Sequence, residues 1–314
     1  MNTAVIDLGT NTFNLLIFNT STGSITFNGK IAVKLGKGGL GEHKIQDDAY
    51  QRGLQAMIKH RETCLAHNVS MVYAVATSAM RSSINGRQFA EDVRRLTGIF
   101  INIIDGETEA RIIYEGVKHS IPDLKNETIL VMDIGGGSTE FIIGRKENIL
   151  WMKSYAIGGS RLIEMFKPHD PPEADELGVI RQFVRDELED LADACESQKP
   201  GILVGSSGSF DTFADMVAQI ESSGVKPSNG FELPRKTLLN LLNSLLISNE
   251  QQRLNMPGME PMRADTIHMS ALQLEIVLHT IPTIKKILLS TFALKEGIMF
   301  QILNNQCPWQ ESSL

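Results

Sequence analysis

Apolar and polar positions divide the chain into two kinds of stretch. Short aliphatic runs bounded by glycine or polar residues have strand length, and longer segments with apolar residues three and four apart have helical periodicity. Residues 4–18 (AVIDLGTNTFNLLIF) hold two apolar runs around a polar, glycine-containing centre, which predicts a hairpin. Residues 23–35 (GSITFNGKIAVKL) predict a third strand, interrupted by a turn at Asn28-Gly29. Tyr50, Leu54, Met57, Ile58, Cys64 and Leu65 recur at helical spacing and predict an amphipathic helix over 46–67. A strand over 71–77, a polar loop over 78–86 holding Arg81, a helix over 87–96, a strand over 99–104 and a helix over 108–119 follow. Alternation of strands and helices with short connections predicts an α/β architecture.

The second half repeats the scheme. Residues 130–144 (LVMDIGGGSTEFIIG) place strands at 129–134 and 141–143 around a Gly-Gly-Gly turn. A third strand over 149–156 ends in Gly158-Gly159, and a segment with three prolines over 167–172 breaks the chain. A long charged helix is expected over 173–198, then a short strand running into a small-residue loop over 201–208. Helices over 209–220, 234–247 and 264–280, a strand over 285–290 and a closing helix over 294–303 complete the pattern. Asp133 lies 126 positions after Asp7, and the same offset relates Gly135 to Gly9, Gly137 to Asn11 and Ser138 to Thr12. Two copies of one hairpin at half-chain separation predict two related domains, 1–124 and 125–314, divided at the polar segment 122–126. The last helix, about 294–306, is a candidate to pack back on the first domain.

Composition narrows the classes. The chain has 314 residues, 42% apolar and 21% charged, the usage of a globular protein long enough for two cores. No apolar run reaches the roughly 20 residues of a membrane span, and no basic segment precedes an apolar run at the N-terminus. A net charge of −7 argues against non-specific nucleic-acid binding, so an anionic substrate needs a local site. Cys64, Cys195 and Cys307 lie far apart with no zinc spacing, which fits a reducing cytoplasm.

The repeated hairpins suggest where that site is. Glycine turns let backbone approach a ligand, and successive N–H groups in such a turn form an anion-binding concavity. Gly9, Asn11 and Thr12 in the first copy, and Gly135, Gly136, Gly137 and Ser138 in the second, are the candidate phosphate ligands. Asp7 and Asp133, each at a strand end, either cap their own turns or bind a divalent cation. Oxygen donors and few carboxylates suit Mg²⁺ together with substrate phosphate. The pattern GxxxxGK[ST] is absent, so a P-loop enzyme is not indicated.

Six blocks occur in order: DLGTNTFNLL, ATSAMRSSIN, IDGETEARIIYEGV, LVMDIGGGSTEFIIG, RADTIH and FALKEG. Together they resemble the signatures of the exopolyphosphatase/guanosine pentaphosphate phosphohydrolase family. That family belongs to the superfamily of sugar kinases, heat-shock proteins and actin-like ATPases. The resemblance runs from Ala4 to about Gly297. It implies two ribonuclease-H-like domains with an interdomain cleft, and Mg²⁺-dependent release of a terminal phosphate from polyphosphate or guanosine pentaphosphate. It also implies a cytoplasmic enzyme acting on a phosphorylated small molecule or polymer, with no nucleic-acid or membrane partner, and it allows a homodimer.

The resemblance places the water-orienting base at Glu109, directly before Ala-Arg, with Glu107 the nearby competitor. It makes Glu140 a second acid acting through metal or water. Arg81 and Arg263 are the cations for phosphate oxygens, where a planar fork suits the geometry. Asp265 either orients Arg263 or a water, or caps the helix after it. Where the family has a Gly-Thr-Gly-Gly-Thr loop this chain reads GSSGSFDTFADM, so Gly208 is retained as a phosphate ligand while Ser206, Ser207 and Ser209 become candidate donors. Two rival readings share the superfamily: an ATP-dependent small-molecule kinase, and a nucleotide-bound regulatory protein.

Overall fold

The aliphatic runs pair into two mixed sheets in a computed structural model that describes residues 1–124, 126–222 and 224–314. By contacts the chain separates into unit 1, Met1–Gly116 with Leu294–Leu314, and unit 2, Val117–Ala293.

In unit 1, β1 (Asn2–Leu8), β2 (Thr12–Asn19) and β3 (Ile25–Ala32) form an antiparallel meander. Helix α1 (Asp47–Ala66) crosses back to β4 (Val69–Ala76), which lies parallel to β1. Helices α2 (Ser78–Ser82) and α3 (Gly86–Thr97) lead to β5 (Ile101–Ile103), parallel to β4. Helix α4 (Gly106–Ser120) follows. Ala4, Ile6, Leu8, Phe13, Leu15 and Ile17 form one core with Met57, Cys64 and Phe89. Val5, Leu16 and Phe18 are equally buried, so the central strands are covered on both faces and read as unbroken apolar runs.

Unit 2 has the same plan. Strands β6 (Ile129–Ile134), β7 (Thr139–Arg145) and β8 (Asn148–Tyr155) form the meander. Helices α5 (Gly159–Phe166), α6 (Ala174–Glu187) and α7 (Glu189–Gln198) lead to β9 (Ile202–Ser206), parallel to β6. Helices α8 (Ser207–Ile220), α9 (Arg235–Leu246), α10 (Glu250–Leu254) and α11 (Ile267–Thr280) precede β10 (Lys286–Leu289), parallel to β9. The chain then returns to unit 1 with α12 (Leu294–Leu303) and β11 (Ser312–Ser313), which pairs with β4 beyond the reach of β5. The strand orders β3-β2-β1-β4-β5 and β8-β7-β6-β9-β10 are the same ribonuclease-H-like arrangement made twice. Among the described residues no helix is long and apolar enough to cross a membrane.

The structure departs from expectation at several places. Asn28-Gly29 makes no turn: both residues lie inside β3, opposite Leu16 and Leu15, and the irregularity falls at Ile17/Phe18 instead. Arg81 sits on the one-turn helix α2 rather than in a loop. The long charged helix is two helices. At Leu188 the backbone leaves helical geometry, and its N–H is shared between the Val184 and Arg185 carbonyls at 3.1 and 3.2 Å. Helix α5, immediately after Gly158, was not expected. The division into units falls at Gly116, within α4, ahead of the polar segment 122–126, whose Lys125 lies outside the described residues. The closing helix, on sequence a candidate to pack back on the first domain and so no departure, counts with unit 1, where it packs on β1 and β2, and Gly297 approaches the Ile112 backbone too closely to admit a side chain.

Candidate functional site

The first hairpin positions Asp7 at the end of β1, opposite Asn14 in the ladder. Asn14 Nδ2 donates to Asp7 Oδ2 at 2.9 Å. The turn closes with the Gly9 N–H on the Thr12 carbonyl at 3.0 Å, and a Cβ on Gly9 would stand 3.1 Å from that oxygen. The segment after β3 takes up the turn's carbonyls. Val33 and Lys34 donate to Asn11 O at 2.9 and 2.8 Å, and Gly36 donates to Thr10 O at 3.1 Å.

Elsewhere in unit 1, Asp105 Oδ1 accepts the Thr108 N–H at 2.7 Å and caps α4. That bond is the main reason its carboxyl is held below the usual range. Glu107 and Glu109 sit two residues apart in the first turn, about 200° apart around the helix. Glu107 is exposed, whereas Glu109 is only 7% exposed. Arg81 Nη1 donates to Glu109 Oε2 at 2.8 Å and to Ile104 O at 3.0 Å. The two glutamates therefore differ in their surroundings: a buried, cation-held carboxylate at 109 and a solvated one at 107.

In unit 2 the second hairpin reproduces the first. Gly135 N–H donates to Ser138 O at 3.0 Å, and a Cβ on Gly135 would lie 3.0 Å from that oxygen. Asp133 stands at the end of β6 between Glu140 on β7 and Ser206 on β9. Ser206 Oγ donates to Asp133 Oδ2 at 2.8 Å, and Ser154 Oγ donates to Glu140 Oε1 at 2.7 Å. Both carboxylates are buried, at 5% and 1% exposure. Burial without such donors would be costly, which is why a hydroxyl accompanies each.

Helix α5 holds the turn from one side. Gly159 N–H donates to Gly135 O at 3.1 Å, Arg161 N–H to Gly136 O at 3.0 Å and Arg161 Nε to Gly137 O at 2.7 Å. Gly158 lies against the same turn: a Cβ there would be 2.5 Å from Gly136 C and from Ser138 N. In a trans peptide the carbonyl and the following N–H point in opposite directions. Fixing the carbonyls of 135, 136 and 137 on α5 thus directs the N–H groups of Gly136, Gly137 and Ser138 away from it. Those three donate to no backbone carbonyl among the described residues. Adjacent N–H groups without a main-chain acceptor, on one side of a turn, are what an anion-binding concavity requires.

Gly208 lies in the first turn of α8, and the Arg263 guanidinium rests on it. A Cβ at 208 would stand 1.5 Å from Arg263 Nη2. Burial lowers the Arg263 pKa, and Asp211, Glu260, Asp133 and Asp265 oppose that effect. The segment carrying Arg263 is anchored by Arg253, which donates through Nε to Ala264 O at 2.6 Å and pairs with Asp170 at 2.8 Å. Asp265 is not the cap of α11; Thr266 occupies that position. Of the loop serines, Ser206 serves Asp133, and Ser209 donates to Ile134 O at 3.1 Å, tying α8 to β6. Ser207 adopts a left-handed backbone, φ 71°, a conformation that costs energy outside glycine.

The structure therefore assembles two sets. Unit 1 groups Asp7 with the 9–12 turn and Glu109 with Arg81. Unit 2 groups Asp133, Glu140, the 135–138 turn, Gly208 and Arg263. Among the described residues no cluster of three or more His, Cys, Asp or Glu side chains makes a ready metal cage. The donors are carboxylate and hydroxyl oxygens, a set that fits Mg²⁺, which binds through one or two carboxylates and completes its shell with water and phosphate. Sequence reading missed Asn14, Ser154, Arg161 and Arg253. Arg161 carried a usable signal, since Leu162, Ile163 and Phe166 after a Gly-Gly pair have helical spacing.

The chain thus builds two ribonuclease-H-like units, each with a carboxylate at a strand end beside a glycine-containing turn. The chain belongs to the Ppx/GppA phosphatase family, whose model matches residues 16–306. It is 30% identical over 307 residues to a Haemophilus influenzae protein named "Putative exopolyphosphatase", covering 96% of this chain and 91% of that one. The crystal structure of an exopolyphosphatase from Cytophaga hutchinsonii superposes with a TM-score of 0.93 at 36% identity, covering 97% of this chain and 98% of that one. A Ppx/GppA family member from Aquifex aeolicus shares the fold, with a TM-score of 0.77 at 24% identity over 97% of this chain and 98% of that one.

Proposed function

We propose that this protein is a Mg²⁺-dependent phosphohydrolase that releases the terminal phosphate of inorganic polyphosphate, guanosine pentaphosphate or both. Family membership sets the reaction class, and the buried Glu109 held by Arg81 is the observation that favours hydrolysis over simple phosphate binding. A general base must be an ionised acceptor within hydrogen-bond reach of the attacking water. The guanidinium beside Glu109 fixes the direction of its carboxylate.

Unit 2 would supply the anion-binding part. The N–H groups of Gly136, Gly137 and Ser138 receive phosphate oxygens, with Asn11 and Thr12 in the matching role in unit 1; the N–H groups of Gly9 and Gly135, expected on sequence to join them, are committed to Thr12 O and Ser138 O inside their own turns. Arg263, resting on Gly208, adds positive charge. Asp133, with Glu140 beside it, would hold Mg²⁺ in unit 2, and Asp7 is the corresponding carboxylate in unit 1. When bound, Mg²⁺ neutralises charge on the phosphate oxygens and orients them. Phosphoryl transfer needs little covalent help, so positioning and charge stabilisation supply most of the rate.

Phosphate release from polyphosphate of several lengths and from guanosine pentaphosphate, with and without Mg²⁺, tests the reading. Metal-dependent release of one phosphate per terminal anhydride is expected from at least one substrate. No release from either, with ATP-dependent phosphorylation of an acceptor instead, overturns it in favour of a kinase.

A further inference from the structure

The two hairpin turns are built alike but braced differently. In unit 1 the carbonyls of Thr10 and Asn11 are taken by main-chain N–H groups of Val33, Lys34 and Gly36. In unit 2 main-chain donors serve Gly135 O and Gly136 O, but the third carbonyl, Gly137 O, is held by a side chain: Arg161 Nε at 2.7 Å, with Arg161 itself 9% exposed. The peptide it grips joins Gly137 to Ser138. A glycine on the N-terminal side of that peptide leaves it with little steric resistance to flipping. A flip would turn the Ser138 N–H into α5 and replace a donor in the anion concavity with a carbonyl oxygen, which repels phosphate.

We infer that Arg161 is a positioning residue of the phosphate site: through the bond from Nε to the Gly137 carbonyl it locks the Gly137–Ser138 peptide with its N–H directed at the substrate anion. The inference rests on the proposed reaction for its kinetic consequence but not for its structural one. It assigns Arg161 a task in which the location of the donor matters more than the charge, and this reverses the usual expectation for arginine replacements.

Glutamine places an N–H donor, Nε2, at the same bond count from Cα as arginine Nε, without charge. Lysine keeps the charge but has a methylene at that place, and methionine has only a methyl group there. Arg161→Gln is therefore expected to keep kcat/KM within about threefold of wild type. Arg161→Lys and Arg161→Met are expected to lose about ten- to hundredfold, mostly in kcat, the range for removing a charge-assisted hydrogen bond. Hydrogen exchange of a peptide spanning 134–141 gives a readout independent of turnover. Exchange at Gly135, whose N–H donates to Ser138 O across the turn, should accelerate in Arg161→Met and Arg161→Lys and stay near wild type in Arg161→Gln, at unchanged global unfolding midpoints. Lysine retaining more activity than glutamine, or unaltered exchange in all three variants, would overturn the assignment. Wild-type protein that releases phosphate from neither substrate would instead overturn the proposed reaction, and the exchange order would still decide the role of Arg161.

Discussion

At the scale of single residues, the structure separates groups that look alike in sequence. Glu107 and Glu109 share a helix turn and a motif, yet only Glu109 is buried and bonded to a guanidinium. Glu109→Gln keeps the size and most of the hydrogen-bonding geometry but removes the basic oxygen. Turnover should fall roughly 10²-fold or more, with KM and the unfolding midpoint close to wild type. Steady-state phosphate release alongside circular dichroism melting checks this, and near wild-type turnover would return Glu109 to the status of a first-turn helix carboxylate. The same burial logic applies to Asp133 and Glu140, whose hydroxyl partners, Ser206 and Ser154, come from strands distant in sequence. Such partners are invisible to motif reading because strand pairing, not chain proximity, brings them together.

At the scale of elements, glycine positions report how tightly backbone approaches backbone or side chain. Two of them allow a contrast. At Gly158 a methyl group would meet main-chain atoms of Gly136 and Ser138 at 2.5 Å, and main chain in a tight turn cannot step aside. At Gly208 it would meet the tip of Arg263 at 1.5 Å, the movable end of a long side chain. Gly158→Ala should therefore cost about 1–3 kcal/mol of stability and damage phosphate release together, because the 135–138 turn must shift. Gly208→Ala should leave the unfolding midpoint nearly unchanged while raising KM, because only the guanidinium moves. Melting curves and kinetics on the two variants would show the split; equal stability losses would contradict it. Much at this scale was legible beforehand. The 126-residue offset found both turns, and it extends to the residues facing the two aspartates, since Asn14 opposite Asp7 corresponds to Glu140 opposite Asp133. Helix α5 gave only a weak signal, because its eight residues begin with Gly159 and the helical spacing of Leu162, Ile163 and Phe166 spans little more than one turn. The Asn28-Gly29 pair misled for the opposite reason. A strong turn dipeptide was overruled by an unbroken ladder with β2 that runs through it.

At the scale of the whole molecule, the α/β class and the repeated plan follow from apolar runs whose lengths differ sharply from those of the helices. The route of the chain does not. The return of β11 to pair with β4 has no signature in the two residues that form it, and α12, although a candidate on sequence to pack back on the first domain, is apolar nearly all round, so its own pattern names no particular face. Buried ionisable groups are the other property that only the folded chain reveals, and they govern how stability responds to pH. His268, 3% exposed in α11, has its pKa lowered from 6.5 to about 3. Desolvation is the main cause, Arg253 adds to it and Asp170 opposes it. The folded state keeps this imidazole neutral while the unfolded chain protonates it below pH 6.5, so the unfolded state binds more protons and stability falls as pH drops. Between pH 7 and pH 5 the loss is about 2 kcal/mol, at about 1.4 kcal/mol for each pH unit below 6.5. His60, lowered by burial in unit 1, acts in the same direction, whereas the exposed His169 beside Glu176 is raised and acts weakly in the other. Trp151 lies in unit 2 and Trp309 in unit 1, so a Trp309→Phe background lets fluorescence follow unit 2 alone. In that background the urea midpoint should decline steadily from pH 7 to pH 5, and adding His268→Gln should flatten the slope whatever it does to stability at pH 7. An equally steep slope without the histidine would assign the acid sensitivity of unit 2 to other groups.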